Sequence, residues 1–186
     1  MNLNEIKATI PDYAKDLRLN LDSVLAETGA PGLTQKQIGL VALACAIAAR
    51  HAPLVAAIGA EAAKHASAQE LDGARTAAAI MAMNNVYYRF THLVSDPEYQ
   101  TLRAGLRMNA MANPGCDKLD FELCSIAVSA INGCGQCMDS HEKTLKKHGV
   151  SAQAIQSAVR IAAVVHAVAV TLEQTSSAIS ELAAAA

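Results

Sequence analysis

The stretch ELCSIAVSAINGCGQCMDSHEKTLKKH, residues 122–148, reads as two helices joined at a tight turn. Its first part is small and apolar, Asn132-Gly133 reverses the chain, and Gly149 stops the polar run that follows. Cys134 and Cys137 form a C-x-x-C, and His141 comes one turn after the second sulfur. In a helix these three fall at i, i+3 and i+7 and share one face. Cα atoms at i and i+3 lie about 5 Å apart, within disulfide range. If the two helices run antiparallel, Glu122 lies about 15 Å and His141 about 12 Å from the turn, at a rise of about 1.5 Å per residue. The two side chains then stand abreast. Ser125 and Ser129 share roughly the face of Glu122, so a thin polar line crosses an apolar hairpin toward the cysteines.

The rest of the chain follows the same helical logic. Alanine dominates, aromatics make up 3%, there is no Trp, and no strand-like alternation persists, so the fold class is all-α. Pro11 is expected to open a helix that buries Leu17, Leu21, Val24 and Leu25 and stops at Gly29. Thr34–Gln37 and Ser67–Glu70 have the form of capping boxes, with His51-Ala52-Pro53 breaking the chain between the helices they start. The second box introduces a long helix carrying Ile80, Met83, Val86 and Tyr87, and Asp96-Pro97 starts another. Asp117 caps a helix reaching about Ile131, and Ser151 caps the last one, which frays into Ala183–Ala186. Asn113-Pro114-Gly115 is the strongest loop signal, and Lys64–Leu71 echoes Lys147–Ile155. The expected architecture is one compact domain over residues 1–186, built from two degenerate repeats. Residues 1–112 would be the half without the cysteine pair and residues 113–186 the half that carries it.

Composition narrows the function. At 186 residues and 52% hydrophobic the chain can bury a full core, and a net charge of −2 spread along it gives no footprint for nucleic acid or an anionic membrane surface. The N-terminal residues lack a cationic segment followed by an apolar one, and the longest apolar run, 161–172, falls short of the roughly 18 residues a membrane span needs. A cytoplasmic protein is expected. Five cysteines, an odd number in a chain with no secretory signal, argue against a structural disulfide framework and for a catalytic or metal-binding pair. A zinc site is disfavoured, because only His141 and His148 stand near the pair and a four-ligand set is missing. No tightly bound cofactor is implied.

The chemistry that fits is thiol chemistry. A free cysteine of pKa about 8.5 is only a few per cent thiolate at neutral pH. Two features favour the thiolate here, the helix start just after Gly133 and His141 beyond Cys137. Glu122 can orient or recharge His141, which takes a proton from Cys137. Cys45 and Cys124 read as small core residues, Cys116 as a loop thiol that nothing activates, and Met81, Met83, Met108 and Met111 as packing. His148 reads as a favourable cation at a helix end, and His51, His65, His92 and His166 as surface or satisfied core residues.

The pattern E-x11-C-x-x-C-x3-H, carried by Glu122, Cys134, Cys137 and His141 and followed by HEKTLKKHGV, resembles the alkyl hydroperoxide reductase D (AhpD) family of the carboxymuconolactone-decarboxylase-like superfamily. The resemblance covers essentially the whole chain. It implies a helical homotrimer with alkyl hydroperoxidase activity that reduces a partner peroxiredoxin of the AhpC type. It further implies reduction by dihydrolipoamide carried on a lipoyl-bearing acyltransferase and recharged by a lipoamide dehydrogenase. Carried onto this chain, it makes Cys137 the less accessible, activated thiol and Cys134 the more accessible one that exchanges disulfides. Where the family often has a histidine between the cysteines, this sequence has Gln136, which hydrogen-bonds but does not titrate, making it a possible tuning position. Two alternatives stand beside this reading: a non-enzymatic redox-sensing protein, and a decarboxylase-like enzyme of the same superfamily, the latter disfavoured because that chemistry does not call for a C-x-x-C.

Overall fold

Side chains at the helix starts set the boundaries. In the computed structural model, which describes residues 1–175, Asn2, Thr34 and Ser67 close capping boxes with Glu5, Gln37 and Glu70. Asp117 and Ser151 accept hydrogen bonds from Leu119 N–H and Ala154 N–H. Each such cap stabilises its helix by about 1 kcal/mol. The helices they and their neighbours define are α1 (Leu3–Thr9), α2 (Lys15–Val24), α3 (Gln35–Ala49), α4 (Ala52–Ala62), α5 (Ala68–Leu93), α6 (Glu98–Thr101), α7 (Lys118–Ile131), α8 (Gly135–Lys147) and α9 (Ala152–Gln174). Short 3-10 turns at Asp12–Ala14 and Asn109–Met111 complete the regular structure, and no strand occurs among the described residues. The fold is all-α.

Two helices occupy the centre and are buried on every side, α7 with a polar line of Asp120, Glu122, Ser125 and Ser129 among its apolar residues. In α3, residues Leu40 to Ala46 are buried without interruption, as are Asp120 to Ser129 in α7. A helix hydrophobic all round must be covered all round. Accordingly α3 packs on α4, α5, α7 and α9, while α7 packs on α5, α8 and α9. By length and composition α9 could cross a membrane, but 56% of its most apolar window is buried, against α2, α3 and α7. It is a core helix. Lys36 ties the centre together at one end, with Nζ 2.9 Å from Glu70 Oε1 and 2.8 Å from the buried Asp120 Oδ2, so one cation joins α3, α5 and α7.

α3, α4 and α5 follow one another as α7, α8 and α9 do, with Arg50 (φ 63°) before α4 and Gly133 (φ 68°) before α8, both in the left-handed region. His51 and Cys134 each cap the next helix by accepting from the N–H three residues on. Counted in step from these caps, Gly39 and Ile58 stand where the second half has Glu122 and His141.

Several local expectations need correction. Pro11 opens only a 3-10 turn; α2 begins at Lys15 and ends at Val24, well before Gly29, and α1 precedes both. Leu21 and Val24 are buried, but Leu17 and Leu25 only half so. In α5 the buried stripe runs through Leu71, Ala74, Ala78, Met81 and Asn85, leaving Val86 exposed and Ile80, Met83 and Tyr87 half-buried. Asp96-Pro97 yields a single turn, α6. The expected fraying at 183–186 lies outside the described residues.

Candidate active site

The α7–α8 hairpin forms where the sequence places it, with α7 ending at Ile131 and α8 beginning at Gly135. Cys134 is the N-cap of α8, and its sulfur accepts from Cys137 N–H at 3.3 Å. The two cysteines form a disulfide with a Cα–Cα separation of 5.3 Å, as the i, i+3 spacing requires. Cys134 is 0% exposed and Cys137 6%. In this disulfide form the accessibility expected from the resemblance is therefore reversed. Cys134 is tucked under the Asn132-Gly133 turn as a cap, while Cys137, in the first turn of α8, lines a cavity.

His141 and Glu122 meet across the hairpin, with Nδ1 2.6 Å from Glu122 Oε2 and both side chains buried. An ionised Glu122 accepts from Nδ1–H, so Nε2 becomes the nitrogen that gains or loses a proton. That nitrogen lies 3.3 Å from Met81 Sδ on α5. Neither ring nitrogen is hydrogen-bonded to a cysteine in the disulfide form. The serines do not form a chain from Glu122 to the sulfurs. Ser125 Oγ is buried without a partner, and Ser129 Oγ turns to α5, accepting from Asn85 Nδ2 at 2.9 Å. Asn85 Oδ1 in turn accepts from Asn132 Nδ2 at 2.9 Å, and Arg89 donates to the Asn132 carbonyl. Helix α5 thereby pins the turn that holds Cys134.

A cavity of about 370 Å³ opens over Cys137 and His141. Met81, Met108 and Met111, together with Tyr88, give it mainly apolar walls, so these methionines enclose the site rather than merely pack the core. Asn84, on the same wall, is 4% exposed with Oδ1 unpartnered, and its Nδ2 makes only a 3.7 Å contact to Met111 Sδ. Gln136 is exposed and stands on the lining of this cavity and of a more polar neighbour of about 380 Å³. Sequence reasoning found the hairpin residues but missed the contribution of α5. Its one signal was Asn84-Asn85, two poor helix formers inside a helix otherwise rich in alanine.

The remaining thiols are inert. Burial pushes the Cys45 and Cys124 thiols far above their ordinary pKa, and burial with the charges of Asp120 and Asp117 pushes Cys116 up to about 11. Cys116 is half-buried, packed so closely on Gly73 that a Cβ there would run into its sulfur. His51 is a cap, its Nδ1 accepting from Leu54 N–H at 3.2 Å, and His148 bonds the Thr144 carbonyl at the end of α8. Among the described residues, no three His, Cys, Asp or Glu side chains converge as metal ligands would.

The chain is also similar in sequence to known proteins. A family model described as the carboxymuconolactone decarboxylase family matches residues 97–178, the span that holds the hairpin and two of the cavity methionines, Met108 and Met111. Full-length relatives are also similar. A protein of Streptomyces griseus subsp. griseus named alkyl hydroperoxide reductase AhpD is 57% identical over 173 residues, covering 93% of this chain and 96% of the relative. Proteins of the same name from Frankia alni (53% over the whole of both chains) and Brucella abortus (52%, covering 93% and 97%) are similar as well.

Proposed function

This chain belongs to the alkyl hydroperoxide reductase AhpD family, and from that membership we propose that it reduces alkyl hydroperoxides through the Cys134/Cys137 pair. The observation that carries the proposal is a disulfide whose Cys137 lines an apolar cavity together with His141, itself held by Glu122. In the reduced form, His141 takes the proton of the Cys137 thiol. The thiolate attacks the terminal oxygen of the hydroperoxide, the O–O bond breaks, and Cys137 becomes a sulfenic acid. The alkoxide leaves with the proton from His141. The Cys134 thiol then condenses with the sulfenic acid, releasing water and forming the disulfide seen here.

A dithiol must reopen that bond, and dihydrolipoamide is the donor proposed, carried on a lipoyl-bearing acyltransferase and recharged by a lipoamide dehydrogenase. Burial of both sulfurs supports a slender dithiol over a bulky one. The Cys134/Cys137 dithiol so regenerated would in turn reduce an AhpC-type peroxiredoxin in the cytoplasm. A homotrimer is supported by the exposed apolar face of Val86, Phe90 and Leu93, with Tyr99 stacked on Phe90.

The test is steady-state consumption of tert-butyl hydroperoxide by the purified protein with dihydrolipoamide, glutathione or thioredoxin as reductant. Catalytic turnover with dihydrolipoamide, abolished by Cys134→Ser and by Cys137→Ser, is expected. Full turnover in either serine variant, or a single turnover with no recycling, would overturn the proposal, the second outcome pointing to a redox sensor.

A further inference from the structure

We propose that Asn84 is a substrate-binding residue whose carboxamide takes the hydroperoxide group of the substrate above Cys137. The inference rests on the peroxide-reducing reading given above. Asn84 sits in the middle of α5, is 4% exposed, and forms part of the wall of the cavity that Cys137 and His141 also line. Its Oδ1 is buried with no partner, and its Nδ2 has only the 3.7 Å contact to Met111 Sδ. An amide so placed is destabilising unless something in the cavity completes it, since a buried unmatched polar group costs about 1–3 kcal/mol. The adjacent Asn85 shows the structural alternative: its Oδ1 and Nδ2 are both taken by protein partners, Asn132 and Ser129. Asn84 has no such task.

The chemistry of the cavity says what would complete it. Three thioethers and a tyrosine give its walls a surface suited to an alkyl or aryl group, with Gln136 and Ser140 also on the lining but, unlike Asn84, each exposed, while an organic hydroperoxide carries one O–H donor at the end that Cys137 must attack. Asn84 Oδ1 accepts from that O–H and holds the terminal oxygen over the Cys137 sulfur. The second oxygen of the O–O bond is left toward His141 Nε2, which supplies its proton as the alcohol departs. Bond changes are those of the cycle above: S–O forms, O–O breaks, and the alcohol leaves with the His141 proton. A dithiol reductant needs no such acceptor, so only the oxidative half of the cycle depends on Asn84.

The experiment measures the two half-reactions separately in Asn84→Leu, a near-isosteric apolar replacement, and in Asn84→Ala. Oxidation of the reduced protein by tert-butyl hydroperoxide is followed by stopped flow, reduction of the disulfide by dihydrolipoamide is followed independently, and Tm is read by circular dichroism. Expected are an oxidation rate constant lower by about tenfold or more, an unchanged reduction rate, and a Tm for the leucine variant equal to or above that of the parent chain. Unchanged oxidation in a variant of a parent that does reduce the peroxide would overturn the role of Asn84 alone. Parallel losses in Tm and in both half-reactions would also overturn it, by showing the amide to be structural. If the parent itself fails to react with the peroxide, the function proposed above falls instead. Should the leucine variant not fold, the alanine variant carries the same comparison.

Discussion

Glu122 and His141 are each acceptable in the core only because the other is present. The carboxylate is buried and its described partner is His141 Nδ1 at 2.6 Å, so removing the imidazole leaves a buried charge without its counterpart. Glu122→Gln keeps an acceptor for Nδ1–H but removes the charge that stabilises a protonated ring. Positioned acid–base groups contribute about 10²- to 10⁴-fold to proton transfer. Glu122→Gln is therefore expected to slow oxidation of the reduced protein by about tenfold or more, and His141→Gln by about a hundredfold or more. Stopped-flow oxidation with tert-butyl hydroperoxide measures both, and an unaltered rate in the histidine variant would remove it from the reaction. Nε2 faces Met81 Sδ in the disulfide form, so the proposed proton transfer from Cys137 to His141 belongs to the reduced form.

At the scale of elements, α5 acts as a brace for the redox hairpin. Asn85 bridges Ser129 near the end of α7 and Asn132 in the turn, and Arg89, one turn along, holds the Asn132 carbonyl. Asn85→Ala strands buried polar groups at about 1–3 kcal/mol, and a chain of this size loses roughly 2–4 °C in Tm per kcal/mol. A Tm lower by several degrees and a more easily reduced disulfide are expected from thermal melts and dithiothreitol titration; a parent-like Tm would contradict the brace.

The Lys36 junction between α3, α5 and α7 makes a separate prediction about pH. Glu70 accepts from Ser67 N–H and pairs with Lys36, which together lower its pKa from the ordinary 4.5 to about 2. A carboxyl depressed on folding stabilises above its unfolded pKa, so this contribution is complete above pH 4.5 and is lost as pH falls from 4.5 through about 2. Lys36 is raised above its ordinary 10.5, chiefly by Asp120 and then Glu70, so its share is complete below that pH and lost only above it. Glu70→Gln should therefore show a smaller drop in Tm across the acid window than the parent chain, measured by melting at a series of pH values.

At the scale of the whole molecule, several large apolar side chains of α5 and its C-terminal connection stand in solvent. Val86 is 61% exposed, Leu93 70% and Leu102 54%, and Phe90 stacks edge-on against Tyr99 with centroids 5.1 Å apart. Large exposed apolar patches mark association surfaces, which suits the proposed trimer. Light scattering is expected to give about three times the chain mass of 19.4 kDa, and Phe90→Asp with Leu93→Asp to give a single chain. A parent chain that is monomeric at micromolar concentration would remove the trimer from the proposal.

Local chemistry by itself determined most of the longer helices, four of their caps and the α7–α8 hairpin. Thr34, Ser67, Asp117 and Ser151 act on backbone groups two or three residues away, so their effect is written beside them. The meeting of Glu122 with His141 was also legible, although they are 19 residues apart, because two rigid helices leaving one short turn have a fixed rise. The extended 3-10 start of α2 escaped, since Pro11 favours a turn and a helix start equally. Only the tertiary structure decided which face of α5 meets the site. Met81, Asn84, Asn85 and Arg89 touch partners 27 to 60 residues away, and that choice belongs to packing between helices, which no local spacing encodes. The same packing buries Cys134 beneath the turn and leaves Cys137 facing the cavity, so the identity of the thiols was in the sequence and their order of access was not.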